Sequence, residues 1–311
     1  MWQGLQQITQ YKQKPTPANN DPTLPDQLNH FYSRFDRKNT TKASSHSVLP
    51  DSDSGPPPPP FTVQPWEVKN LFTKLNIRKA AGPDNISPST LKFCAEQLAP
   101  IFCEIYNLSL SQCKVLTCFK SSAIIPVLLQ TKVSSLNDCR PIVLTSIAMK
   151  VFERLVLRYP KTATDSLLDP HQFAYRANRS VEDAVCLGLH HVLKHLDCPN
   201  ICARILFIDY SSAFNTIIPH KLFNKLRLLN VNTQMCKWIL DFLLNRTQVV
   251  RFNSQLSEPL TLNTGAPQGS VLSPLLFTLF TNDCRSSSSS TLIFRFSDDT
   301  IFDGLITNAD E

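Results

Sequence analysis

The chain has 311 residues, of which 42% are apolar, and this is enough for one large domain or two smaller ones with a buried core. Lysine and arginine outnumber aspartate and glutamate by 31 to 25, an excess compatible with a polyanionic partner without requiring one. The ten cysteines form no CxxC pair and the amino terminus has no apolar signal core, which argues against secretion. The most apolar stretch, residues 271–280, is far shorter than the roughly 20 residues of a membrane span, so no membrane association is predicted.

The composition changes near residue 60. Residues 1–60 are polar, rich in Pro, Asn, Ser and Asp, and end in Gly55 followed by five prolines. This composition predicts a largely disordered, Pro-rich linker, in which a short helix is expected around residues 28–35. The prolines also match a ligand of SH3-type domains, but a polyproline spacer is the simpler interpretation.

Residues 61–311 have the alternating helix and strand signals of an α+β domain. Helices are expected from Pro65 and over residues 89–98, 101–112, 145–158, 181–196, 221–229 and 233–244, and again from about Ser273. Strands are expected over residues 123–129, 204–209, 248–252, 259–263, 291–297 and 300–305. A loop is expected between the strand over residues 123–129 and the Arg140-Pro141 pair.

Two of these strands lead into aspartate. Asp209 closes the strand over residues 204–209, and Asp298 and Asp299 lie at the tip of the hairpin that follows residue 290. Because adjacent carboxylates repel, a fold keeps them together most readily around a cation, and three acids on two strand ends form a candidate two-metal site for phosphoryl transfer. An Asp-Asp pair alone is also a common turn, so the neighbouring motifs must decide.

Six segments follow one another in an order that resembles the reverse transcriptase domain of non-LTR, LINE-type retrotransposons, most nearly the jockey-like group. They are KAAGPDNISP (79–88), NDCRPIVLTSIAMKVFERLV (137–156), HQFAYRANRS (171–180), LFIDYSSAFNTIIP (206–219), TGAPQGSVLSPLLFTLF (264–280) and FSDDT (296–300). The resemblance covers about residues 61–311 and implies the fingers and palm of a right-hand polymerase. It further implies a nucleotidyltransferase, an RNA-directed DNA polymerase that adds dNTPs to a primer 3′ hydroxyl by two-metal phosphoryl transfer.

The resemblance also assigns roles to the three aspartates. Asp209 and Asp298 are expected to bind two Mg²⁺ ions, and Asp299, which matches the second acid of the family's motif, is expected to have a more peripheral catalytic role. The expected ligands are all oxygens, which favours Mg²⁺ over Zn²⁺, with Mn²⁺ as an alternative ion.

Five residues are expected to bind the nucleotide. Phe214 matches a family aromatic that excludes the 2′ hydroxyl of a ribonucleotide, although by itself it is an ordinary core phenylalanine. Gln268 matches a family glutamine that lies beside the nucleotide and the template strand, and Gly269 in the same loop would permit close approach of the backbone. Arg140 is expected to grip the triphosphate, and Lys150 is a second candidate cation.

Template contacts are expected from Arg176 and Arg179, because arginines interleaved with aromatic residues suit a single strand. An equally good interpretation of this segment is a lead-in to the helix over residues 181–196, capped by Ser180. VLLQTK, residues 127–132, departs from the family's more basic run, so contacts there are expected to be weaker.

The partners that the resemblance implies are an RNA template, a DNA primer and dNTPs. The family's endonuclease and thumb have no counterpart here, so the domain is expected to be truncated, incomplete at its C-terminal end. The alternative function is therefore a catalytically inactive remnant that at most binds RNA or a protein partner. An RNA-dependent RNA polymerase is disfavoured by Phe214 and the Ala-Pro-Gln-Gly loop. A cytoplasmic or nuclear location is expected from the family.

Overall fold

Helices and two β-sheets make up the part of the chain that the computed structural model describes, namely residues 21–36, 61–128, 135–197, 201–210, 212–288 and 291–307. The α-helices in this part are α1 (Leu24–Tyr32), α2 (Pro65–Thr73), α3 (Pro88–Phe93), α4 (Ala95–Gln112), α5 (Thr117–Lys120), α6 (Ile147–Thr164), α7 (Val181–Leu196), α8 (Pro219–Leu228), α9 (Thr233–Leu243) and α10 (Ser273–Phe280). The strands are β1 (Ser122–Leu128), β2 (Cys139–Thr145), β3 (Ile201–Asp209), β4 (Arg246–Phe252), β5 (Gln255–Leu256), β6 (Leu260–Leu262), β7 (Thr291–Phe296) and β8 (Asp299–Thr307). This content confirms the α+β class.

The first sheet has β1 between β2 and β4. β1 is antiparallel to β2 and parallel to β4, and the short strands β5 and β6 both pair antiparallel with β4. The strand β2, which contains Arg140 and Pro141, was not predicted. β2 is at the edge of this sheet, where a proline without an N–H group is tolerated.

The second sheet is antiparallel in the order β3-β8-β7. Residues 171–173 lie along β7, because the Arg295 amide donates to the His171 carbonyl at 3.0 Å and the Phe173 amide donates to the Arg295 carbonyl at 2.9 Å. The guanidinium of Arg295 is buried and lies 2.8 Å from the Asp169 carboxylate. The sheet and the HQFAYRANRS segment are therefore one unit.

The main core contains a run of stacked aromatic rings between α4, α6 and α9. The centroids of Tyr106 and Phe152 are 4.2 Å apart, and Trp238 meets Phe152 edge-on at 5.1 Å. The polar groups of this cluster are satisfied: the Tyr106 hydroxyl donates to the Ala148 carbonyl at 2.8 Å, and the Trp238 indole donates to the Ser109 hydroxyl at 3.0 Å. These contacts fix the position of the first turns of α6, the helix that follows β2 in the chain.

The helix α1 lies within the predicted linker and begins a few residues before the short helix expected over residues 28–35. Leu28 is fully buried in a small cluster with Val250, and the side-chain amide of Asn29 donates to the Glu258 backbone carbonyl at 2.8 Å. The expected short helix is thus present at Leu24–Tyr32, and its apolar and amide contacts attach residues 21–36 to the first sheet. The remainder of residues 1–60, including the five prolines, lies outside the described residues.

One other element boundary was predicted wrongly. The sequence suggested a break before Ile101, but α4 runs through Pro100 and the break falls at Cys94. Pro100 lies near the start of α4, where it removes one amide donor without ending the helix. Among the described residues, no helix is both long and apolar enough to cross a bilayer.

Candidate active site

The end of the second sheet carries two opposed carboxylates. Asp209, the last residue of β3, is the register partner of Asp299, the first residue of β8. Directly opposite residues of an antiparallel pair point to the same face with Cβ atoms about 5 Å apart, and like charges there repel. Both residues are exposed. The sheet therefore presents two carboxylates at a defined spacing to solvent or to a cation.

Asp298 lies one residue earlier, in the turn between β7 and β8. Phe296 pairs with Asp299 across this turn, which leaves Ser297 and Asp298 as its two central residues. Ser297 has φ of 62°, a left-handed conformation that is costly for a residue other than glycine. Its hydroxyl lies 2.8 Å from the Tyr175 hydroxyl, so the HQFAYRANRS segment contacts the turn.

The three aspartates fit Mg²⁺ in the chemistry of their donor atoms. Across the described part of the chain, no three His, Cys, Asp or Glu side chains converge closely enough to hold a metal ion by themselves. Mg²⁺ is usually bound by only one or two carboxylates and completes its shell with water and substrate phosphates. Asp209, Asp298 and Asp299 offer only carboxylate oxygens, so the residues present suit a site that substrate completes.

A cavity of about 270 Å³ brings together two of the predicted nucleotide-binding residues. Arg140 of β2 and Gln268 of the Ala-Pro-Gln-Gly loop both line it, and Ser212 and Asn215 contribute from the segment after β3. Phe214 and the three aspartates are not among its lining residues. The cavity thus combines a cationic and an amide side chain, a pair suited to an anionic, hydrogen-bonding ligand.

Residues 31–36 form one wall of this cavity. The Tyr32 hydroxyl donates to the Cys139 carbonyl at 3.1 Å, and burial raises the pKa of Tyr32, so the group remains a donor. The Asp36 carboxylate accepts a hydrogen bond from the backbone amide of Asn263 at 2.9 Å. These wall residues were not predicted from the sequence, although the apolar spacing of the predicted short helix was an available signal.

Phe214 lies in a 3₁₀ segment, Ala213–Thr216, and is partly buried. Its ring centroid is 5.2 Å from that of Phe277 in α10. The Ala-Pro-Gln-Gly loop is hydrogen-bonded to the same segment, because the Ala266 amide donates to the Phe214 carbonyl at 2.8 Å and the Gly265 amide donates to the Ile217 carbonyl at 2.7 Å. The ring therefore packs against α10 while its backbone supports the loop.

The two arginines predicted to bind the template have intramolecular partners. Arg176 donates to the Asp169 carbonyl and Arg179 to the Pro170 carbonyl, both at 3.0 Å. Lys150 is partly buried on α6, and burial lowers its pKa. Template binding by the two arginines and triphosphate binding by Lys150 remain predictions. Residues 129–132 of the VLLQTK segment lie outside the described residues.

The alternative interpretation of the segment with Arg176 and Arg179, a lead-in to α7 that is capped by Ser180, agrees with the local geometry. Ser180 is the N-cap of α7: its hydroxyl accepts from the Asp183 amide at 3.2 Å, and the Asp183 carboxylate accepts from the Ser180 amide at 2.8 Å. This capping box explains why the helix begins where it does.

Glu153 is a further residue at this site that was not predicted from the sequence. It is 1% exposed on α6, and its carboxylate accepts hydrogen bonds from the loop that follows Gln268. The available signal was an acidic residue within the apolar face of a predicted helix.

A family model supports the assignment of the chain. Residues 130–303, more than half of the chain, match the model described as "Reverse transcriptase (RNA-dependent DNA polymerase)". The match includes the positions of the three aspartates and of Arg140 and Gln268.

Curated relatives cover most of the chain. In Drosophila melanogaster, the "Probable RNA-directed DNA polymerase from transposon BS" is 29% identical over 261 residues, which is 82% of this chain and 29% of that protein. The "RNA-directed DNA polymerase from mobile element jockey" is 27% identical over 245 residues, 75% of this chain and 26% of the relative. A third relative, the "Probable RNA-directed DNA polymerase from transposon X-element", is 27% identical over 244 residues. The chain spans less than a third of the length of these relatives. The resemblance seen in the sequence is confirmed, and the chain belongs to the reverse transcriptase family, with polymerases of non-LTR retrotransposons among its relatives.

Proposed function

We propose that this chain carries the catalytic region of a non-LTR retrotransposon reverse transcriptase. It extends a DNA primer by adding dNTPs complementary to an RNA template. The observation that carries the proposal is the alignment of Asp209 with Asp299 at the end of a sheet, one residue from Asp298. Within this proposal, residues 61–311 form the fingers and palm.

The aspartates supply the metal ligands in this proposal. Asp209 and Asp298 would hold two Mg²⁺ ions, or Mn²⁺ as an alternative, and Asp299 would assist from the opposite strand. Divalent ions supply activation of a hydroxyl nucleophile and neutralisation of charge on the leaving pyrophosphate. Strand ends suit these carboxylates, because a sheet restricts their positions more than a loop does.

The nucleotide is bound by residues around the cavity. Arg140 would pair with triphosphate oxygens, since a guanidinium can donate two parallel hydrogen bonds to phosphate. Gln268 and Gly269 would lie beside the nucleotide, with Lys150 as a second cation. The Phe214 ring would exclude a 2′ hydroxyl, and Arg176 and Arg179 would contact the template.

Primer extension tests the function. The full chain is incubated with a DNA primer annealed to an RNA template, Mg²⁺ and dNTPs. Asp298→Ala is expected to lower the extension rate by about 100-fold or more, because the charge stabilisation at a two-metal site is worth several kcal/mol. Asp197→Ala is the matched control, because Asp197 is an exposed aspartate at the end of α7.

The outcomes separate the site assignment from the function. Wild-type extension that Asp298→Ala leaves unchanged would contradict the site assignment. No extension by the wild-type chain would favour the noncatalytic remnant, which at most binds RNA or a protein. Extension that requires ribonucleotides would instead indicate an RNA polymerase.

A further inference from the structure

Glu153 is a buried carboxylate in the middle of α6. One of its oxygens, Oε2, accepts hydrogen bonds from the Val271 amide at 2.6 Å, from the Leu272 amide at 3.0 Å and from the Ser270 hydroxyl. The three donors are consecutive in sequence and immediately follow Gly269. A single acid of α6 thus holds the whole segment between the Ala-Pro-Gln-Gly loop and α10.

The same segment is closed on itself by a second set of hydrogen bonds. The Ser270 amide donates to the Pro267 carbonyl at 3.2 Å, and the Ser273 hydroxyl donates to the same carbonyl at 2.8 Å. The Ser270 hydroxyl accepts from the Ser273 amide at 3.3 Å. Gln268 is therefore inside a turn whose two ends are joined, and Glu153 attaches that turn to the core.

Packing alone does not account for a carboxylate at this position. Burial raises the pKa of Glu153, and the hydrogen bonds from Ser270, Leu272 and Val271, together with the positive charge of Lys150, act in the opposite direction. An apolar side chain of similar volume would fill a core position without this desolvation penalty. The carboxylate supplies what an apolar side chain cannot, namely an oxygen that accepts from three donors at once.

We propose that Glu153 is a positioning residue for the polymerase, which fixes the turn that presents Gln268 to the nucleotide cavity. The inference rests on the proposed function. Glu153 itself touches neither substrate nor metal and acts through the Ser270–Leu272 segment. When this attachment is lost, Gln268 samples more orientations, so nucleotide binding weakens more than the chemical step does.

Steady-state primer extension with varied dNTP concentration tests this inference on the full chain. Glu153→Gln keeps the shape of the side chain and replaces the carboxylate with a neutral, weaker acceptor. The KM for dNTP is expected to rise by about fivefold to tenfold, with a smaller change in kcat, because hydrogen bonds to charged groups are roughly twice as strong as neutral ones. Glu104→Gln, the same substitution at an exposed helix position, is the matched control.

A double-mutant cycle with Gln268→Ala distinguishes positioning from general destabilisation. If Glu153 acts through Gln268, the double variant should have a KM within about twofold of that of Gln268→Ala alone. Additive effects of the two substitutions would overturn the inference. Amide hydrogen exchange gives a readout besides activity: Val271 and Leu272 should exchange faster in Glu153→Gln, and unchanged exchange would also overturn the inference.

A second variant covers the case in which Glu153→Gln does not fold. Ser270→Ala removes the hydroxyl that joins Glu153 to the turn and should reproduce the rise in KM; an unchanged KM would count against the inference. A wild-type chain that extends no primer would overturn the proposed function and this inference together. If the wild-type chain extends a primer but the effects of Glu153→Gln and Gln268→Ala on the KM are additive, only this inference is overturned.

Discussion

The Ala266 amide donates a hydrogen bond to the Phe214 carbonyl at 2.8 Å, and this bond joins the loop that carries Gln268 to the segment that follows Asp209. Two predicted nucleotide contacts, Phe214 and Gln268, are therefore on backbone segments that support each other. Substitutions in either segment are therefore expected to affect nucleotide selection at the other.

Phe214→Val should relax discrimination against ribonucleotides by about tenfold, because the smaller side chain leaves room for a 2′ hydroxyl. The measurement is the ratio of dNTP to rNTP incorporation efficiencies on one RNA template. Phe277→Leu is the matched control, since it removes the partner ring that lies 5.2 Å from Phe214 and leaves Phe214 in place. Unchanged selectivity in Phe214→Val, or equal relaxation in both variants, would contradict a steric gate.

Asp299→Asn should stabilise the chain in the presence of EDTA. Removal of one of two directly opposed like charges is worth roughly 0.2–1 kcal/mol in an antiparallel pair. Added Mg²⁺ should reverse the ranking, because the negative charge of Asp299 lies beside the proposed ligands Asp209 and Asp298 and strengthens ion binding to the wild-type chain. Urea denaturation with and without Mg²⁺ measures both effects, and Asp197→Asn is the control. A variant that is less stable than wild type in EDTA would argue that Asp299 has a structural partner.

Gly265→Ala should destabilise the fold more than Gly269→Ala. Both glycines have φ of 73°, so both substitutions carry the backbone strain, about 1 kcal/mol or more. A Cβ at Gly265 would also lie 2.8 Å from the Asn215 Cα, whereas a Cβ at Gly269 would approach nothing closer than the Val143 carbonyl oxygen at 3.7 Å. Thermal melting of the two variants provides the comparison. Equal melting temperatures would show that the loop moves away from Asn215 at little cost.

The stability of Glu153→Gln relative to wild type should depend on pH. Burial raises the pKa of Glu153 above the ordinary value of 4.5, so the native state binds this proton more tightly than the unfolded state does. The stability contributed by the group is fully present below pH 4.5 and is lost as the pH rises through the native pKa. Glutamine does not titrate, so the variant should gain stability relative to wild type as the pH rises from 4.5. Denaturation curves across this pH range measure the difference in the free energy of unfolding between the variant and wild type. A difference that does not change with pH would mean that local opening exposes Glu153 to solvent.

Local sequence patterns were sufficient for much of the secondary structure. The helix over residues 181–196 was predicted with the observed bounds, because Ser180 caps it and apolar residues recur at helical spacing. The edge strand β2 and the attachment of α1 were not predicted. Pro141 reads as a strand breaker until its edge position is known, and the apolar spacing around Leu28 indicates a helix without indicating the sheet against which that helix packs.

The sequence by itself determined the family and the candidate residues, since six motifs in one order identify Asp209, Asp298, Asp299, Arg140 and Gln268 without reference to distance. Tertiary structure decided how these residues meet. The register of β3 against β8 sets Asp299, rather than Asp298, opposite Asp209. The contact of α6 with the turn after Gln268 gives Glu153 its partners. Both depend on hydrogen bonds between segments distant in the chain, and no local periodicity encodes such pairings.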